Sequence, residues 1–168
     1  MKVLIPFLIT AILFSCTQKS NSELSEEQKK QIQNEIQTVI AHIHVAAANV
    51  DTTKLYEVFS FADNDFMYVE TSGAFYDKTA YKNMVHEFYE PLSGEIIEKG
   101  TEKYTYLSTD YVLWSYSGAL VATYKNGQVV RYEPFGMSML FRKVDSKWKV
   151  VFLQESMQEH PQTDTTIH

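Results

Sequence analysis

The chain has a single cysteine, Cys16, so no disulfide can form within it and a thiolate zinc site has no second sulfur to use. Glycine is also scarce: six residues, none of them clustered, leave no loop able to cradle a phosphate. Basic side chains number 15 against 21 acidic ones and form no patch, which disfavours a nucleic-acid partner. Long hydrophobic runs are missing except at the start. There Met1-Lys2 precedes residues 3–14, apolar apart from Pro6 and Thr10. About a dozen apolar residues are too few to span a bilayer, and with Ser15 before Cys16 the segment has the form of a secretory signal.

Aromatics, by contrast, are plentiful. Eleven tyrosines and ten phenylalanines bring them to 14% of the chain, more than a core of this size needs and suited to an aromatic-lined cavity. Cutting after Ser15 removes Lys2 and no acid, so the net charge goes from −6 to −7. The remaining length is enough for one domain with a real core.

Leu13-Phe14-Ser15-Cys16 resembles the lipobox of bacterial lipoproteins, departing from it at Phe14, where a small or β-branched residue is usual. The resemblance implies that Cys16 is lipidated on sulfur and becomes the new N-terminus. The alternative is ordinary signal-peptidase cleavage with a free thiol left behind. The chain then divides into a signal peptide (1–15), a lipidated cysteine and tether (16–24), one domain (25–158) and a disordered polar tail (159–168). Eight flexible tether residues span about 15 Å, which keeps the domain near the bilayer. Thr17 is not the aspartate that favours inner-membrane retention, so the expected location is the cell envelope, with the outer membrane favoured over the inner.

Ser25 followed by Gln28 is a capping-box pattern, and Ile32, Ile36, Val39, Ile40, Ile43 and Ala47 recur at helical spacing behind it. A second short helix is expected over residues 52–59, capped by Asp51 or Thr52. A strand over 66–71 follows, then a third helix capped by Asp77, with Tyr81, Val85 and Phe88 inward and Pro91 as its stop. Strands are predicted over 95–107, 111–124, 129–144 and 147–157, with two-residue hairpins at Asn126-Gly127 and Asp145-Ser146. Three helices before a long antiparallel meander make an α+β fold, helices gathered on one face of a strongly curved sheet.

Those turns fix a register. Tyr116 falls opposite Met137, Trp114 opposite Met139, and Leu120 opposite Glu133. Across the second turn Met137 faces Gln154, Met139 faces Phe152, and Phe135 faces Ser156. The face under the helices then gathers Trp114, Tyr116, Leu120, Phe135, Met137, Met139, Phe141, Val150 and Phe152, together with the polar Glu133, Gln154 and Ser156. Glu155 falls on the opposite face. Polar groups on an apolar surface cost about 1–3 kcal/mol each if buried without partners. Either they satisfy one another, or they line a wet cavity.

The element order resembles the nuclear transport factor 2-like superfamily, with its SnoaL-like cyclases and ketosteroid isomerase, over residues 27–157. Three local patterns add to it: Ala46-Ala47-Ala48-Asn49-Val50-Asp51 leading to Phe59-Ser60-Phe61-Ala62-Asp63-Asn64-Asp65, then Gly73-Ala74-Phe75-Tyr76-Asp77-Lys78, then Trp148-Lys149-Val150-Val151 running to Ser156. The resemblance implies a cone-shaped sheet of cystatin-like topology around a pocket, and frequently a homodimer through the outer sheet face. Ketosteroid isomerase uses a carboxylate base and two oxyanion donors. Aligned through Asp51 and Ala62-Asp63, its base falls at or next to Glu70, on the same strand face as Tyr68. The donor positions fall near Ile43 and near Met137 or Ser138, which cannot donate as required, so that activity is disfavoured.

His42 and His44 are two apart on a helix and point about 200° apart, so they cannot chelate one metal. His86 reads as part of a solvated face. No cofactor and no metal are expected. The expected function is binding of a small, largely apolar ligand by Glu70, Trp114, Tyr116, Glu133, Phe135, Met137 and Gln154, with the membrane anchor at Cys16. Two alternatives stay open: a SnoaL-like enzyme (cyclase, dehydratase or isomerase) using Glu70 or Glu133 as acid/base, and a protein-binding module.

Overall fold

The computed structural model describes residues 24–61 and 66–160, with backbone alone at 159 and 160. Cys16, the apolar N-terminal run, nearly all of the tether, the turn at 62–65 and the tail from 161 lie outside the described residues.

Helix α1 (Glu26–Ala48) starts where its capping box predicts: the Gln28 N–H donates to Ser25 Oγ at 3.2 Å, and the Ser25 N–H donates to Gln28 Oε1 at 2.9 Å. Its buried stripe is Ile32, Ile36, Ile40, Ile43, Ala46 and Ala47. Asp51 caps α2 (Thr52–Tyr56), which ends earlier than expected. The Ser60 N–H donates to the Val150 carbonyl and the Val150 N–H to the Val58 carbonyl, so residues 58–60 pair with the sheet and leave the helix. Strands β1 (Met67–Val69) and β2 (Phe75–Tyr76) form a short hairpin before α3 (Lys78–Tyr89), whose first turn is held by Asp77 accepting from the Thr79 and Ala80 N–H groups. On α3, Tyr81, Val85 and Tyr89 are buried, while Phe88 is only partly covered.

The remainder is β3 (Leu92–Ile97), β4 (Thr101–Tyr106), β5 (Tyr111–Tyr124), β6 (Val129–Val144) and β7 (Lys147–His160). The expected strand over 95–107 is two strands: both pair antiparallel with β5, and the chain bends between them at residues 98–100. At the bend, Cβ of an alanine in place of Gly100 would sit 2.6 Å from Tyr116 Cε2, closer than atoms pack, so glycine lets the backbone pass against the ring. The sheet order is β2-β1-β7-β6-β5-β3, with β4 also on β5. All pairs are antiparallel except β1 with β7, which run parallel. Gly127 (φ 87°) and the pair Asp145 (φ 48°) and Ser146 (φ 64°) supply the left-handed turns that the two hairpins require. The result is the α+β architecture expected, helices packed on one side of a curved, mainly antiparallel sheet.

A longer turn and two bulges set the register apart from the predicted one. Tyr116 does face Met137, and Trp114 does face Met139. Leu120, however, faces Tyr132: the first hairpin turns through Lys125-Asn126-Gly127, with the Tyr124 N–H bonded to the Gln128 carbonyl, so the ladder beside it runs one residue off until the bulge that leaves Glu133 and Pro134 unpaired restores the predicted pairing. On the far side, Phe141 pairs with Val150 but Leu140 pairs with Phe152, so one extra residue, Val151, sits in β7. From there to Phe135 each partner moves by one: Met137 faces Glu155, Met139 faces Leu153, and Phe135 faces Met157. A one-residue slip exchanges the two faces of a strand. Leu153 is accordingly buried, while Gln154 and Ser156 are exposed.

Candidate functional site

The residues predicted to line a cavity around the central strands fill their space instead. Trp114 and Phe135 are fully buried, and Tyr116 and Met137 nearly so. The Trp114 and Tyr116 rings stack at 5.9 Å, and Tyr116 meets Phe135 at 6.1 Å. The Trp114 indole N–H donates to Glu102 Oε2 at 3.0 Å, and the Tyr116 hydroxyl donates to the Glu98 carbonyl at 2.8 Å. Glu133 is exposed at its bulge and accepts from Arg131 Nε at 2.8 Å. Gln154 points away from the helices. Of the seven predicted residues, Glu70 alone is in the wall of the cavity described next.

That cavity, of about 210 Å³ and partly open, lies between α3 and the sheet. Leu55 of α2 closes one side, and Tyr81, Met84, Val85, Phe88 and Tyr89 of α3 form the roof. Beneath them β1 brings Tyr68 and then Glu70 and Thr71, β3 brings Glu95, β5 brings Leu120, and β7 brings Glu155 and Met157. Three carboxyl groups therefore reach an otherwise aromatic and aliphatic space. Sequence reasoning missed two of them.

Glu95 is inward because its neighbour Ile96 is outward: Glu95 is 7% exposed and Ile96 57%. It sits opposite the fully buried Ala122 of β5, whose small side chain leaves room for a carboxyl. Its hydrogen bond is a long one, from the Tyr89 hydroxyl to Oε1 at 3.4 Å. Burial, and then the charge of Glu155, push the Glu95 carboxyl up to about 8. Glu155 is inward because of the bulge at Val151. Its Oε2 accepts from the Tyr68 hydroxyl at 2.9 Å. Burial raises its pKa and the charge of Glu70 adds to this, against the lowering effect of the Tyr68 bond. Glu70 holds the Ser72 hydroxyl at the rim.

The phenols belong to the same system. Tyr68 and Tyr81 rings lie 5.1 Å apart, and Tyr81 also packs on Phe59 and Phe66. Tyr68, Tyr81 and Tyr89 are all raised above the usual tyrosine range, burial first and neighbouring carboxylates after it, so each stays a neutral donor. Tyr81 is 4% exposed, and among the described residues nothing accepts from its hydroxyl. Such a site can take and release protons near neutral pH at Glu95, and can donate hydrogen bonds from fixed phenols.

His42 Nε2 is bonded to the Lys54 carbonyl at 3.0 Å, and His44 Nε2 is buried with no partner, its pKa lowered mainly by that burial. Among the described residues no group of three or more His, Cys, Asp or Glu side chains is placed to hold a metal ion. No helix among them is long and apolar enough to cross a membrane.

No curated protein matches the chain. Solved structures do, at identities that speak for fold alone. The hexachlorocyclohexane dehydrochlorinase LinA-type3 from Novosphingobium barchaimii is 12% identical at TM-score 0.69, covering 83% of this chain and 96% of that one. A candidate dehydratase of the nuclear transport factor 2-like family from Streptomyces avermitilis is 10% identical at TM-score 0.67, covering 77% and 97%. A nuclear transport factor 2-like protein of unknown function from Prochlorococcus marinus is 22% identical at TM-score 0.57, covering 76% and 94%. The cone fold expected from the sequence is thus the fold of these proteins. A family model described as a protein of unknown function, DUF3804, matches residues 33–168, and the chain belongs to that family.

Proposed function

We propose that this protein is an envelope lipoprotein, anchored through Cys16, whose domain binds a small, largely apolar molecule in the cavity beneath α3. One observation carries the reading: a void of about 210 Å³ walled by aromatic and aliphatic side chains holds polar groups at chosen points. An engineered apolar cavity of about 150 Å³ takes up benzene, so this one has room for a single ring and a short polar arm. The ligand contacts move accordingly to Glu70, Glu95, Glu155 and Tyr81. A homodimer through the outer sheet face belongs to the same reading, and sedimentation equilibrium tests it.

A catalytic reading is favoured by the opposition of Glu95 and Glu155. Both are buried carboxyls with raised pKa values, burial first, and so can carry protons in acid/base chemistry, and the fold relatives include a dehydrochlorinase. Binding is common to both readings and is tested first. Untargeted mass spectrometry of small molecules released from the purified protein is expected to find one compound at near-stoichiometric amount. Met84→Trp, which places an indole in the cavity, is expected to remove it while leaving the fold intact by circular dichroism. A compound retained by Met84→Trp would place the binding site elsewhere, and the finding of none would count against binding altogether.

A further inference from the structure

Every ionisable side chain in the cavity wall is an acid or a phenol: Tyr68, Glu70, Tyr81, Tyr89, Glu95 and Glu155. Neither α3, the roof, nor β1, β3, β5 or β7, the floor, adds a lysine, arginine or histidine to it. Glu95 and Glu155 receive hydrogen bonds from tyrosines, and among the described residues no cation pairs with either. A buried carboxyl without a cation either holds its proton or awaits a positive partner. The three carboxyls reach the void from β1, β3 and β7, and they are not grouped closely enough to hold a metal ion. Tyr81, 4% exposed and with no described acceptor for its hydroxyl, faces the same space. The rings of Tyr68, Tyr81, Phe88 and Tyr89 line it, and aromatic faces attract an organic cation within about 6 Å.

We infer that the cavity is built for a small organic cation, an amine whose ammonium group lies between Glu95 and Glu155 while its hydrocarbon part rests on Tyr81, Phe88, Met84 and Leu120. This rests on the reading of the cavity as a ligand site. The ammonium donates to carboxylate oxygens, and an amine ligand can accept from the Tyr81 hydroxyl through a hydroxyl or ether of its own. Binding a cation holds Glu95 ionised, so a proton leaves the protein as the amine enters. The groups that face Glu95 in this exchange are Tyr89, Glu155, Tyr68 and Glu70, none of which carries positive charge.

The test compares three one-ring probes of similar size: benzylamine, benzyl alcohol and benzoate. Each is titrated calorimetrically into the full chain in a non-ionic detergent at pH 7, in two buffers of different ionisation enthalpy. Benzylamine is expected to bind at least tenfold tighter than benzyl alcohol, with heat that depends on the buffer as proton release requires, and benzoate is expected not to bind. Glu95→Gln, and from the opposite wall Glu155→Gln, are expected to weaken benzylamine at least tenfold, and Glu95→Gln to abolish the proton release. Should either variant fail to fold, the three probes on the unaltered chain decide alone. Benzyl alcohol binding as tightly as benzylamine, or benzoate binding tighter, overturns the cation and leaves the cavity reading standing. Binding of none of the three overturns both.

Discussion

Glu95 occupies a strand position where alternation would normally put a hydrocarbon, and among the described residues it accepts a single hydrogen bond, a long one from Tyr89. That arrangement has a consequence for stability that can be signed. The unfolded chain releases this proton near 4.5, whereas the folded chain keeps it until about 8. Between those values the native state binds more protons than the unfolded state, so stability falls as pH rises, each unit costing about 1.4 kcal/mol at most. The contribution is fully present below 4.5 and is lost by the time pH passes 8. Urea unfolding is therefore expected to give a higher midpoint at pH 5.5 than at pH 8.5. Glu95→Gln, a neutral isostere, is expected to flatten that dependence. A wild-type profile that rises with pH over this range would show that Glu95 is ionised in the fold. Glu70 differs in kind, since its carboxyl sits at the rim with Ser72 and was readable from the alternation of its strand.

Local signals placed the elements well where they were self-sufficient. The capping box set the start of α1, and Asn126-Gly127 marked the place of the first long hairpin, although its loop takes in Lys125 as well and the ladder beside it runs one residue off the two-residue register. The second hairpin was also correct at its turn, yet the strand beyond it was assigned the wrong face. Val150-Val151-Phe152-Leu153 is apolar at every position, so it can present either set of residues inward, and a bulge at Val151 leaves no mark in such a run. That single residue exchanges Gln154 for Glu155 in the interior. The site was legible only at Glu70. Glu95 had a faint signal, standing two before the partly buried Ile97, while Tyr81 was readable as buried but not as facing a void, and Tyr89 was passed over for its neighbour Phe88. At the break between β3 and β4, Gly100→Ala would drive a methyl group into the Tyr116 ring. Overpacking of this kind costs about 1–3 kcal/mol, to be read from denaturant unfolding; a loss below a few tenths would mean the bend relaxes freely.

For the whole molecule, the anchor and the domain are separable claims. Cys16→Ser is expected to move the protein from the membrane fraction to the soluble one, and continued sedimentation with membranes would count against lipidation at that residue. The negative charge of the chain, −6 by formal count, repels an anionic lipid surface. The domain's closure, in turn, depends on distant segments. The strand that neighbours β1 is β7, and residues 58–60 lean on Val150 of the same strand. Contacts that bridge some ninety positions of sequence form slowly, because the intervening chain must first be gathered. A ribosome that has yet to deliver β7 holds a polypeptide in which β1 and residues 58–60 lack the strand that ties them to the main sheet. On the proposed reading as an exported protein, that delay keeps the chain threadable until β7 arrives.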